Sequence, residues 1–290
     1  MKRLITIIFM LSLFIPLFGC NTEDQAQIVA TTLPIYEFTA SMCKNTGLQV
    51  KQLISEEVSC LHDYTLKVDQ TKALESAQLV VISGAGLEAF LPDIENNKIV
   101  DASTGIELHC ADSTDAHAHD ESHNHSKDPH IWLSVTNAKE MCKNIFNGLV
   151  AKYPEHSATI AKNYSALETR LTELENYAKV QLSQTTHSEL ITFHDGFHYL
   201  AECFNLKILR AIEEESGSEA SAHELKELIT VVREHQLPAI FTERSGSTSS
   251  ADIISRETGV PVYTLDMAMS GNSYFDAMYH NIDILREALE

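Results

Sequence analysis

The stretch EHSATIAKNYSALETRLTELENYAKVQLS at residues 155–183 repeats its apolar side chains at threes and fours, at Ile160, Tyr164, Leu167, Leu171, Leu174 and Ala178. That spacing draws one stripe along a helix, which at 1.5 Å per residue is about 40 Å long. Another helical pattern, 136–150, precedes it with only the break at Pro154 between them. Working outward, short β-branched runs alternate with helical patterns on both sides. Strands are expected at 27–32, 50–54, 79–82 and 98–101, with helices after Pro34 and over 68–77. On the far side strands at 189–193, 206–211, 239–242 and 262–265 alternate with helices at 197–204, 222–235, 249–258 and 274–289. Such alternation implies parallel sheets covered by helices. The expected fold is α/β: two α/β lobes with mostly parallel sheets, 21–135 and 186–290, joined by a helical linker, 136–185, that contains a long rigid backbone helix. No sequence repeat relates the lobes.

At 290 residues and 44% hydrophobic content the chain has enough apolar material for real cores. Its 41 acidic against 21 basic side chains give a formal charge of −20. Nucleic acid is excluded as a partner on that balance, because phosphate binding needs clustered Lys and Arg. Anionic lipid surfaces are disfavoured for the same reason.

Met1-Lys2-Arg3 is a basic start, followed by an apolar run to Phe18 and then Gly19-Cys20. The run is short for a membrane helix, which needs about 20 apolar residues, and has the length and flanks of an export signal. Leu17-Phe18-Gly19-Cys20 resembles a lipobox, although Phe18 is larger than usual there. Residues 1–20 are therefore expected to be a signal peptide with Cys20 as the lipidated residue, which implies an extracytoplasmic lipoprotein anchored at the cell membrane, on the cell surface or in a periplasm. Cys43, Cys60, Cys110, Cys142 and Cys203 remain. Their odd number leaves at least one without an intramolecular partner, and none forms a C-x-x-C pair.

Residues 111–128, ADSTDAHAHDESHNHSKD, are too polar to bury a core and are expected to form a flexible loop. His117, His119, His123 and His125 stand among its acids, a metal-collecting composition, with His109 and His130 flanking. Other candidate ligands follow strands, where α/β sheets gather their ligands: His62, His194, Glu243 and Asp266, with His130 after the His-rich loop. Three imidazoles and a carboxylate suit a tetrahedral zinc site, and an imidazole-rich set suits zinc better than manganese. His198, four residues after His194, is a competitor if both lie on a helix. Spacing alone does not choose among them. A zinc hydrolase is the other chemistry such a set could serve, but no H-E-x-x-H occurs.

Several segments together resemble the metal-binding receptors of ABC importers, most of all the zinc-type (ZnuA/TroA-like) group of the helical-backbone cluster. They are HDYTLKVDQ from His62, GLEAFL from Gly86, the His-rich insert running into DPHIWLS, FHDGFHYLA from Phe193, and LDMAMSGNSYFDAMYHNIDIL near the end. The resemblance covers essentially the whole chain after residue 20. It implies metal ligands at His62, His130, His194 and Asp266, an auxiliary role for the four insert histidines, and zinc as the ion, with Mn2+ less favoured because His194 stands where manganese-type relatives commonly carry Glu. It further implies a monomeric binding protein rather than an enzyme, delivering Zn2+ to an ABC permease and its ATPase. A manganese-type receptor or a metal-dependent adhesin of the same fold is the alternative. Leu61, where some zinc receptors have an acid, and Thr65-Leu66, in place of Glu-Pro, depart from the pattern.

Overall fold

The computed structural model describes residues 26–58, 61, 64–109, 127–213, 220–244 and 248–290. The proposed leader with Cys20, His62, and the insert histidines 117, 119, 123 and 125 lie outside these residues, as do Cys60 and Cys110.

The first lobe runs β1 (Ile28–Ala30), α1 (Leu33–Cys43), β2 (Val50–Gln52), α2 (Val68–Ser76), β3 (Leu79–Ile82) and β4 (Ile99–Asp101). Two helices follow, α3 (Val135–Lys152) and α4 (Ser157–Leu182), linked through one 3-10 turn at Pro154–His156. The second lobe is β5 (Glu189–His194), α5 (His198–Cys203), β6 (Lys207–Glu213), α6 (Ala222–Glu234), β7 (Ile240–Glu243), α7 (Ser249–Thr258), β8 (Val262–Leu265) and α8 (Tyr274–Leu289). Both sheets are parallel throughout and share one strand order, β2-β1-β3-β4 in the first and β6-β5-β7-β8 in the second. The central strands are buried on both faces, which is why β1 and β3 read as unbroken apolar runs, IVA and LVVI.

Local chemistry sets the helix starts. Pro34 falls in the first turn of α1. Ser134 caps α3, Ser273 caps α8, and Ser221 with Glu224 makes a capping box on α6. Thr31 and Thr32 were expected in the first strand; the ladder instead ends at Ala30, and Thr32 takes the N-cap position of α1.

α4, 26 residues and about 39 Å long, buries Ile160, Leu167, Leu171, Leu174, Ala178 and Leu182. Tyr164 lies at the margin of this stripe, stacked on Phe146 with centroids 4.6 Å apart. The buried side meets α1 and α3 and also α8 of the second lobe. One core cluster accordingly runs from the first sheet through the helices into the second lobe, while Ile191, Phe193, Leu228, Val232, Leu237, Ile240, Ala251 and Ile254 form a smaller core beneath α6 and α7.

Polar clasps reinforce the junction. Trp132 Nε1 donates to the Met267 carbonyl at 2.8 Å, and Tyr274 Oη donates to the Trp132 carbonyl at 2.9 Å. Both rings are fully buried. Arg170 of α4 lies 3.8 Å over the Phe275 ring and 3.5 Å from Glu37, which accepts the Tyr274 N–H at 2.6 Å. Cys43, Cys142 and Cys203 are free thiols, and burial pushes Cys43 up to about 12. Among the described residues no helix is long and apolar enough to cross a membrane.

Candidate metal centre

His194 is the last residue of β5, and His130 opens the 3-10 turn Ile131–Leu133. That turn is packed in place: Ile131, Trp132 and Leu133 are all buried, and Trp132 is bonded across the lobe junction. The two imidazoles, both buried, meet edge to face with centroids 5.2 Å apart and their Nε2 atoms at 3.5 Å. His130 Nδ1 lies 2.7 Å from Asp128 Oδ1, which also accepts the His130 N–H at 2.9 Å. A carboxylate accepts, so Nδ1 carries the proton and the Nε2 lone pair points toward His194.

The spacing fits a shared ion. Two nitrogens at 2.0–2.1 Å from a tetrahedral zinc stand about 3.4 Å apart, close to the observed separation. Asp128 Oδ2 is buried and has no hydrogen-bond partner among the described residues, an arrangement that a nearby positive charge would relieve. Gly196 makes the approach possible: a Cβ there would stand 2.7 Å from His194 Cδ2, 2.8 Å from Met267 Cε and 3.0 Å from His130 Nδ1.

Asp266 follows β8 at the same end of the sheet. Its N–H donates to Asn281 Oδ1 at 2.7 Å, and its Oδ1 accepts from Ala268 N at 2.8 Å. Ala268 holds the left-handed conformation (φ 54°) that this tight turn requires. The other oxygen, Oδ2, lies 3.1 Å from Arg244 Nε. Thus the structure brings His130 and His194 together and turns the Asp266 carboxylate toward Arg244; His62 lies outside the described residues. Among the described residues no three His, Cys, Asp or Glu side chains are gathered as a metal cluster.

Glu243 is buried at the end of β7. His198 does not share a helix face with His194, since His194 ends a strand and His198 begins α5, where its Nε2 meets Asp195 Oδ1 at 2.6 Å. Tyr64 turns to Glu56 and Gln70. The insert's two stems are tied: Asp128 N–H bonds the His109 carbonyl at 3.0 Å, and Tyr199 Oη donates to the Asp128 carbonyl at 3.1 Å. Sequence reasoning passed over Asp128, Gly196 and Arg244. The D-P-H spacing held a signal for the first; the other two depend on contacts that only folding creates.

Two parallel α/β lobes on a stiff helical spine, with paired imidazoles held at their junction, define a helical-backbone solute-binding receptor. Residues 28–288 match the model of the ZnuA family, described as zinc-uptake complex component A, periplasmic, and the chain belongs to that family. It is 29% identical to the high-affinity zinc uptake system protein ZnuA of Bacillus subtilis, over 92% of this chain and 88% of that protein. Against the zinc-binding lipoprotein AdcA of Streptococcus pneumoniae the identity is 28%, over 94% of this chain but only 58% of that longer protein. The solved Zn(II)-bound ZnuA-like domain of Streptococcus pneumoniae AdcA superposes with a TM-score of 0.75 at 27% identity, covering 90% of this chain and 98% of that one.

Proposed function

We propose that this chain is the capture component of a zinc importer, taking Zn2+ between its lobes through His62, His130, His194 and Asp266 and handing it to an ABC permease driven by its ATPase. The observation that carries this reading is the pair of Nε2 atoms 3.5 Å apart, inside a chain of the zinc-uptake family. Three imidazoles with one carboxylate favour zinc over manganese. Asp128 fixes the His130 tautomer so that Nε2 is the donor. Proton and metal compete for the same lone pairs, so uptake weakens as pH falls through the imidazole range.

In this reading Cys20 carries the lipid anchor outside the cytoplasm, and the protein binds and releases without turnover. His117, His119, His123 and His125 gather zinc near the cleft. Calorimetric titration of the purified chain with zinc and with manganese, alongside elemental analysis, tests the proposal. One tight zinc site with much weaker manganese binding is expected; preference for manganese, or uptake of neither, refutes it.

A further inference from the structure

Asp266 has two carboxylate oxygens, and they differ in what they meet. Oδ1 is committed to the Ala268 N–H, and the residue's own N–H is fixed on Asn281. Oδ2 faces Arg244 as an ion pair, 3.1 Å from its Nε. Arg244 does not reach this position by chance rotation of a long side chain. Its backbone N–H donates to the Leu265 carbonyl at 3.0 Å, which pins it beside Asp266 where β7 and β8 end together. Its closest approach to Oδ2 is through Nε, and its side chain is 55% exposed against 9% for Asp266. One end of the pair is therefore wet and easily displaced, while the other is buried and costly to leave uncompensated.

Resting on the zinc-capture reading above, we propose that Arg244 is a resident competitor for the fourth ligand: it neutralises Asp266 in the empty receptor and yields Oδ2 when the ion arrives, so that it sets affinity and promotes release. Arg244 is a positioning residue, acting on the ion through Asp266. Its removal leaves Asp266 Oδ2 already available.

The Arg244→Ala variant should bind zinc about fivefold tighter in competition titrations, the scale of a half-exposed ion pair, with correspondingly slower dissociation. The chain has seven arginines, so the Arg244 Nε–H resonance can be assigned by its loss in this variant. In the wild-type chain that resonance should move on zinc addition to the position it holds in metal-free Asp266→Asn. Unchanged or weaker zinc affinity in Arg244→Ala overturns the proposal. So does tighter binding with a resonance that zinc leaves unmoved, which reduces Arg244 to a through-space charge. If the wild-type chain takes up no zinc at all, the capture reading falls first and this inference with it.

Discussion

Thr31 and Ser83 in the first lobe, and His194 and Glu243 in the second, stand at or just beyond the carboxyl ends of corresponding strands, where the connections of each sheet part in opposite directions. Crevices of this kind are the usual ligand sites of open α/β sheets. The first lobe fills its crevice with its own Glu88, which accepts from Thr31 Oγ1 and Ser83 N at 2.7 Å and from Gly84 N at 3.0 Å. Burial outweighs these three donors and, with Asp101 nearby, lifts the Glu88 carboxyl to about 7. The second lobe places His194 and Arg244 at its crevice, with Asp266 at the next strand end. Identical topology thus yields a self-sealed platform on one side and a set of donors on the other. Ligand chemistry belongs to the residues at the strand ends, not to the sheet.

The contrast can be broken most sharply from the second lobe. Removing a donor with His194→Ala should weaken zinc binding by more than about 100-fold, beyond what loss of an outer partner costs. The metal-free thermal midpoint should stay within a few degrees, and calorimetry with thermal unfolding reads both. Asp128→Asn should weaken zinc binding by about 10- to 100-fold, because His130 loses the partner that fixes its tautomer; equal affinity would show that the Trp132 clasp alone orients the ring.

Glu88→Gln should do the reverse, leaving zinc affinity within about twofold while lowering stability by about 1–3 kcal/mol in urea unfolding, since an amide cannot accept from both the Ser83 and Gly84 N–H groups on either end. Its pH signature is distinctive. The folded carboxyl keeps its proton to about 7 and the unfolded one loses it near 4.5, so the folded state binds more protons between these values. Stability contributed by Glu88 therefore falls as pH rises through that window. The gap between wild type and variant should narrow from pH 5 to pH 7.

The lobes and the spine were legible because periodicity is a local property: alternating strands and the 160–178 stripe need no knowledge of partners. Strand ends moved by one or two residues where Thr32 served a helix instead. His130 and His194 were visible as imidazoles following elements, yet their meeting was not, because it requires the Trp132 clasp and the space left by Gly196. His198 looked like a helical partner of His194 only because a spacing of four has no meaning until the backbone between is known to be helical. Arg244 gave no signal at all. Its place beside Asp266 follows from the pairing of Glu243 with Leu265 across two strands, a register that sequence does not print.

The smaller core under α6 and α7 shares its strands with the larger one. On β5, Leu190 faces the large core whereas Ile191 and Phe193 belong to the small, and on β7 Phe241 and Ile240 divide in the same way. The two strands that present His194 and Arg244 are thus stitched on both sides. The outer helices α6 and α7 pack on the same strands that carry His194 and Arg244, from the face opposite the core that holds Trp132.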